Sequence, residues 1–179
     1  MGKIIAVIGV DGSGKSTLIE KTKWESSHFY KGVKKNKESS LKTKVKIDEK
    51  ANNFKFFIGT ILKVYIPNFY KFFKYKYFSK ENLIFDRYTY DYLSSLKCER
   101  ESIFKKLIYF LFKIFPSPDF VVFLSVDPMV AYERKKEFNI EHLRKKQNKL
   151  LDIVNHLSID KLKIFDSSIN IEKAYEFFK

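Results

Sequence analysis

A glycine-rich loop near the start of the chain constrains the fold more than any other feature. Residues 9–17 read Gly-Val-Asp-Gly-Ser-Gly-Lys-Ser-Thr, between an apolar run that ends at Ile8 and a helix-like stretch that begins at Thr17. Glycines let a chain fold closely around an anion, while backbone N–H groups and the positive end of the following helix attract it. This order predicts a phosphate-binding loop for a nucleoside triphosphate, against the alternative of a glycine-rich turn without function.

The residues of this loop have separate expected roles. Lys15 is expected to reach the β and γ phosphates of ATP, and the Ser16 hydroxyl is expected to hold Mg²⁺. Asp11 is expected to brace the loop or to contact the molecule that accepts the phosphate. Because the loop would surround the phosphates, the predicted ATP-binding set also contains Gly9, Gly12, Ser13, Gly14 and Thr17.

Length and composition agree with a single domain over residues 1–179. Of the 179 residues 45% are hydrophobic, and no uncharged apolar run reaches the roughly eighteen residues needed to span a bilayer. The N-terminus lacks an export pattern, so a cytoplasmic location is expected. Cys98 is the only cysteine, which excludes an internal disulfide and gives no indication of a metal cluster.

The chain carries a formal net charge of +14, and a charge of this size usually accompanies an anionic partner or surface. ATP and a phosphorylated acceptor would account for part of it. Residues 31–50 contain eight lysines and few apolar residues, which predicts a loop. The favoured interpretation of this basic loop is a solvated surface, and the alternative is a segment that holds an anionic substrate.

Hydrophobic patterning predicts strands that alternate with helices. Predicted strands cover residues 4–10, 83–85, 120–126 and 161–165, and a further strand ends near His28. Predicted helices cover residues 102–115, 128–136, 140–156 and 171–178, and Pro67 is expected to break residues 54–78 into two helical pieces. The pattern predicts a P-loop NTPase fold, a three-layer α/β/α arrangement with a central parallel sheet of about five strands.

Side chains at the carboxyl ends of the predicted strands are the next candidates, because nucleotides bind parallel sheets at that edge. Asp86 is expected to orient the Mg²⁺ water shell or to accept a hydrogen bond from the acceptor; its alternatives are an ion pair with Arg87 and a strand-end cap. Arg87 offers a planar fork that suits a phosphate, with a surface ion pair as the alternative. Tyr88 is expected either to stack on the acceptor or to fill the core.

Four stretches occur in the order found in one family of P-loop proteins. They are the loop at residues 9–17, Phe85-Asp-Arg-Tyr88, the strand and helix over residues 118–136, and Asp166-Ser167. In these stretches the chain resembles the thymidylate kinase family within the nucleoside monophosphate kinase-like P-loop proteins. The resemblance implies a Mg²⁺-dependent kinase that transfers the γ-phosphate of ATP to a small acceptor, with dTMP as the leading candidate.

The chain also departs from the family pattern. An Arg-Glu-Pro-Gly segment, usual in thymidylate kinases, is absent between Lys21 and Lys80, and residues 89–93 read Thr-Tyr-Asp-Tyr-Leu where the family has a Ser and then a Tyr-Gln pair. In this respect the chain is similar to divergent thymidylate kinase-like proteins found among surface-polysaccharide genes. A sugar or another small metabolite is therefore the alternative acceptor. An interaction protein that binds nucleotide without transferring phosphate is the alternative of another class.

The resemblance implies that residues 134–144 form a lid over the nucleotide, and this lid is shorter than is usual in the family. Arg134 is expected to fold over ATP and to assist catalysis, although a cation at a helix end also interacts favourably with the helix dipole. Arg144 is the second candidate. Asp127 is expected to cap the helix that Pro128 begins, and not to bind a ligand.

Two segments interleave aromatic residues and lysines, residues 69–78 and 103–115. The favoured interpretation is packing in the core or between two identical chains, and the alternative is attachment to a membrane surface. A specific nucleic acid is not expected as a partner. His28 is expected to be structural, with a position facing the acceptor as its alternative.

Overall fold

A parallel sheet of five strands lies at the centre of the protein. The computed structural model describes residues 2–30, 54–95, 103–156, 161–169 and 171–178, so the predicted basic loop at residues 31–50 and Cys98 lie outside the described residues. The strands are β1 (Ile4–Gly9), β2 (Glu25–His28), β3 (Leu83–Asp86), β4 (Phe120–Ser125) and β5 (Leu162–Asp166). Their order across the sheet is β2-β3-β1-β4-β5, and every pairing is parallel. The predicted sheet is confirmed.

Alternating side chains of β1 show that both faces of the sheet are covered. Ile4, Ala6 and Ile8 belong to one buried cluster, whereas Ile5 and Val7 belong to another. Successive side chains of a strand point to opposite faces, so an almost wholly apolar strand requires a layer on each side. These two clusters confirm the predicted α/β/α arrangement.

Helices cover the sheet on each side. They are α1 (Lys15–Lys21), α2 (Phe54–Thr60), α3 (Ile66–Phe73), α4 (Thr89–Ser95), α5 (Ile103–Lys113), α6 (Pro128–Arg134), α7 (Ile140–His156) and α8 (Glu172–Glu176). Buried side chains of α3, α5 and α7 pack in the cluster that contains Ile4, and those of α1 and α8 pack in the cluster that contains Ile5. Within the described residues, no helix is long and apolar enough to cross a membrane.

The expected break at Pro67 is wrong. Helical structure continues from α2 to Phe78 through two π-helical turns, Ile61–Tyr65 and Lys74–Phe78. The Ile66 N–H donates to the carbonyl of Ile61, five residues earlier. We attribute the continuity to this wider turn directly before Pro67, which shifts the hydrogen-bond register where proline cannot donate.

Aromatic rings fill the space between α3, α5 and the sheet. We call the rings of Phe29, Tyr65, Tyr88, Phe112 and Phe115 the aromatic layer. Neighbouring rings of this layer lie with centroids 5.0–6.1 Å apart, mostly edge to face. Such pairs add stabilisation beyond the burial of their area. The aromatic layer lies beside the carboxyl edge because Tyr88 follows β3 by two residues.

Candidate active site

The glycine-rich loop connects β1 to α1, and its backbone conformation requires glycine at positions 12 and 14 among others. Gly12 and Gly14 have φ angles of +88° and +84°, in the left-handed region that side chains rarely adopt. A Cβ atom on Gly12 would lie 2.5 Å from the carbonyl oxygen of Ala131. The loop therefore packs directly against α6, which precedes the predicted lid.

Lys15 is folded into the loop. Its Nζ donates hydrogen bonds to the carbonyl oxygens of Gly9 and Val10, each at 2.7 Å, and lies 3.5 Å from the Ser13 Oγ. Burial lowers the pKa of Lys15 to about 8, while Asp91 and Asp11 oppose the shift. A buried ammonium whose acceptors are only carbonyls and a hydroxyl is suited to exchange them for phosphate oxygens.

The loop and the ends of the strands enclose a cleft of about 370 Å³. Its lining contains nine of the twelve predicted site residues, and Lys135 in addition: Asp11, Gly12, Gly14, Lys15, Ser16, Thr17, Asp86, Arg87 and Arg134. Gly9 and Ser13 lie behind this lining, where they accept hydrogen bonds from Lys15. The lining has four cationic and two acidic side chains, which favours a polyanionic ligand.

Asp86 is paired with His28 and not with Arg87. The parallel register of β2 and β3 places the two residues side by side, and the His28 Nδ1 lies 2.7 Å from the Asp86 Oδ2. The other carboxylate oxygen, Oδ1, is buried without a hydrogen-bond partner among the described residues. Free carboxylate and hydroxyl oxygens are ligands that Mg²⁺ prefers. Asp86 and Ser16 in the same cleft therefore fit the expected metal.

Arg87 is held in a strained conformation at the end of β3. Its φ angle is +70°, which costs a non-glycine residue on the order of 1–3 kcal/mol. The guanidinium donates from Nη2 to the Asp11 Oδ1 at 2.8 Å and lies over the ring of Tyr30. Burial opposes its charge, but Tyr30 and Asp11 raise the pKa of Arg87 above its usual value. This ion pair is partly buried inside the cleft and is not the surface pair considered as an alternative.

Arg134 connects the glycine-rich loop to the end of β5. Its Nη2 donates to the carbonyl of Ser167 at 3.0 Å, and its Nη1 lies 3.4 Å from the carbonyl of Gly12. Arg144 is exposed on α7 and does not line the cleft. The Asp127 carboxylate accepts from the Met129 N–H at 2.7 Å, so the predicted helix cap is confirmed.

The family model described as thymidylate kinase matches residues 7–177 of the chain. The chain belongs to the thymidylate kinase family. No curated protein sequence matches it significantly. The family and the glycine-rich loop make it a P-loop kinase and a nucleotide-binding transferase.

Solved structures of deoxyadenosine kinase from M. mycoides share the fold of this thymidylate kinase family member. The structure with bound dATP has a TM-score of 0.60 and 19% sequence identity over 97% of this chain and 96% of the other. The structure with the products dCMP and dCDP has a TM-score of 0.59 and 19% identity, over 97% and 95% of the two chains. At this identity the likeness shows the fold alone.

Two charged residues that interact with the lining of the kinase cleft, Lys146 and Asp91, were not predicted from the sequence. The Lys146 Nζ on α7 lies 3.1 Å from the Asp11 Oδ2, so Asp11 has a cation at each carboxylate oxygen. Burial alone would raise the pKa of Asp11, but Lys146, Lys15 and Arg87 hold it well below its usual range. Lys146 lies among several lysines, so nothing in the sequence distinguishes it as a residue that reaches the glycine-rich loop.

The second missed residue is Asp91, in the first turn of α4. Its side chain is fully buried, and neither carboxylate oxygen has a hydrogen-bond partner among the described residues. Burial raises its pKa despite the opposing charges of Lys15, Lys146 and Arg87. The sequence did contain an indication that Asp91 has a special role, because Asp91 lies in the segment after Asp-Arg-Tyr that departs from the family pattern.

Tyr88 lies in the aromatic layer of the kinase. Its ring is fully buried between Phe29, Phe85 and Phe115, and its hydroxyl donates to the carbonyl of Pro116 at 2.5 Å. Of the two roles expected for Tyr88, core packing agrees with this position. Among the described residues, no group of three or more His, Cys, Asp and Glu side chains forms a separate metal site.

Proposed function

We propose that this kinase transfers the γ-phosphoryl group of ATP to a nucleoside monophosphate, with dTMP as the first acceptor to test. The observation that carries the proposal is the convergence of Lys15, Asp86 and Arg87 on one cleft. Phosphoryl transfer requires mainly the alignment of two anionic reactants and neutralisation of charge on the transferred group. The cationic side chains of the cleft, together with the Asp86 Oδ1 that has no hydrogen-bond partner within the described ranges, support that reaction.

The residues divide into an ATP side and an acceptor side. The loop from Gly9 to Thr17 would hold the ATP phosphates, with Lys15 released from its carbonyl partners. Ser16 and Asp86 would hold Mg²⁺, which supplies charge neutralisation at the β and γ phosphates. Arg134 would stabilise the charge that develops during transfer.

On the acceptor side, Asp11 and Arg87 would contact the acceptor, since both line the cleft and form an ion pair with each other there. An arginine fork suits a phosphate monoester because it donates two parallel hydrogen bonds. The deoxyadenosine kinase structures that share the fold contain dATP, dCTP or dCMP. These ligands support a nucleotide or nucleoside acceptor before the sugar alternative.

An acceptor screen tests the proposal. Purified protein, ATP and Mg²⁺ are incubated with dTMP, other nucleoside monophosphates, nucleosides and sugars, and new phosphate esters are detected by ³¹P NMR. The Lys15→Met variant is the control. We expect dTDP from dTMP with the natural protein only. Turnover of another acceptor without dTDP would refute dTMP and keep the kinase, whereas ADP formation with no acceptor would contradict the proposal.

A further inference from the structure

Two cations from distant parts of the chain, Arg87 and Lys146, form ion pairs with one carboxylate, that of Asp11, which lines the cleft. Asp11 Oδ1 accepts from the Arg87 Nη2 at 2.8 Å, and Asp11 Oδ2 lies 3.1 Å from the Lys146 Nζ. The three side chains are largely shielded from solvent, with only 14% of the Lys146 side chain exposed. Each oxygen of the carboxylate thus has its own cation.

This arrangement resembles the binding of a small oxyanion by two donors. Arg87 and Lys146 provide two positive charges, whereas the carboxylate between them provides one negative charge. A phosphate monoester carries about −1.5 to −2 near neutral pH and presents three acceptor oxygens. A phosphate therefore matches the pair of cations better in charge and in number of acceptors than Asp11 does.

The position of Lys146 distinguishes it from the other lysines of α7. The adjacent Lys145 has 76% of its side chain exposed and pairs with Glu141 one turn earlier, which is ordinary for a helix surface. Lys146 instead points to the glycine-rich loop, 135 residues away in the sequence. A lysine that only solvated the helix would gain little from this partly buried position.

We propose that Lys146 binds the phosphate of the acceptor together with Arg87, and that this phosphate displaces the Asp11 carboxylate from between them. The inference rests on the proposed function and names a binding residue for it. The ligand class is a phosphate monoester. Lys146 is then a determinant of specificity, since it favours a phosphorylated acceptor over the corresponding unphosphorylated nucleoside.

Calorimetric titration with dTMP and with thymidine isolates the contribution of the phosphate. For the natural protein we expect dTMP to bind more tightly than thymidine. In Lys146→Met this preference should fall by about 10- to 100-fold, the value of a hydrogen bond to a charged group. Thymidine affinity should not change. Lys145→Met, the matched control, should keep the full preference, and Lys146→Arg should restore most of it.

Three results would overturn the inference. The first is a natural protein that binds dTMP no more tightly than thymidine. The second is a Lys146→Met variant that weakens both ligands equally, because Lys146 would then act only by orienting Asp11. The third is an unchanged preference in that variant. Circular dichroism of each variant confirms folding, and the neutral Lys146→Gln variant provides the measurement of the loss if Lys146→Met does not fold.

The outcome for the proposed function is separate. A phosphate preference that depends on Lys146, in a protein that forms no dTDP from ATP and dTMP, would support the inference and refute dTMP kinase activity. Formation of dTDP with an unchanged preference in Lys146→Met would do the reverse.

Discussion

The carboxyl edge of the sheet and the aromatic layer lie side by side but satisfy their polar groups differently. In and around the aromatic layer, buried polar atoms have partners: the Tyr88 hydroxyl donates to Pro116, and the Asn68 amide donates to the carbonyls of Phe29 and Val64. At the carboxyl edge, Asp86 and Asp91 keep buried oxygens that have no hydrogen-bond partner in the described part of the chain, and Arg87 has a left-handed backbone.

This difference shows that the groups which destabilise the folded protein, these buried oxygens and a strained backbone, lie at the carboxyl edge. Buried polar groups are almost always hydrogen-bonded, and strained residues cluster at functional sites. The carboxyl edge therefore has properties of a site prepared for ligands, whereas the aromatic layer has properties of a stabilising core. Substitutions at the edge should change activity, and substitutions in the layer should change stability.

The largest expected effect is at Arg134. We expect Arg134→Ala to lower kcat by about 10³-fold or more, because a positioned arginine acts mainly on the transition state. The KM for ATP should change far less. Steady-state kinetics with the acceptor found in the screen measures both constants. Arg144→Ala, exposed on α7, is the control and should keep kcat within about twofold; an equal loss in both variants would contradict a specific role for Arg134.

Phe112 tests the aromatic layer. Phe112→Ala should lower the free energy of unfolding by about 3–5 kcal/mol, because it removes a buried ring and leaves a cavity. Phe110→Ala is the matched control, since Phe110 is 58% exposed on the same helix, and it should change stability by about 0.5 kcal/mol or less. Urea unfolding measures both. If Phe112→Ala lost kcat while keeping its stability, the proposed division between layer and edge would fail.

Asp91 tests whether the carboxyl edge carries a cost in stability. Because burial raises its pKa, ionisation of Asp91 destabilises the folded state at neutral pH. Asp91→Asn should therefore raise the free energy of unfolding at pH 7 by about 1–3 kcal/mol. The gain should shrink as the pH falls and the natural carboxyl becomes protonated. Thermal unfolding of both proteins from neutral to acid pH measures this gain. If Asp91→Asn were less stable than the natural protein at neutral pH, the Asp91 carboxylate would have a stabilising partner, which would contradict the prediction.

The smallest effect concerns Lys15. Its pKa of about 8 in the folded protein lies below the usual lysine value of 10.5, so the unfolded chain binds more protons than the folded chain between these two pH values. Stability attributable to Lys15 should therefore rise with pH across that window. Relative to Lys15→Met, the natural protein should gain about 1.5 kcal/mol between about pH 8 and about pH 9.5. Denaturant unfolding at both pH values tests the direction of this change. If the unfolding free energies of the two proteins changed equally with pH, the pKa of Lys15 would not be lowered in the folded protein.

The sequence predicted the sheet and most of the lining of the cleft because both depend on consecutive residues. The apolar run over 120–126 is long enough for one strand, and the strand-loop-helix order around Lys15 places the loop at a strand end. The predicted helix over residues 140–156 has the same bounds in the structure. Pro67 was misjudged because a π-helical turn, which periodicity does not indicate, accommodates it.

The partners inside the site required the tertiary structure. An ion pair with Arg87, its neighbour in sequence, was one alternative for Asp86, yet the register of β2 against β3 pairs Asp86 with His28. Arg87 is turned towards Asp11 by its left-handed backbone, which no sequence pattern indicated.

The amino-acid sequence alone determined the phosphate-binding loop, the alternation of strands and helices, and the family. These features arise from local conformational preference and from burial, which act over short stretches of chain. Only the tertiary structure decided that Lys146 reaches Asp11 and that Asp91 is enclosed near the same cations. These positions depend on the packing of α4 and α7 against each other beside the sheet, and the geometry of that packing is a property of the assembled fold.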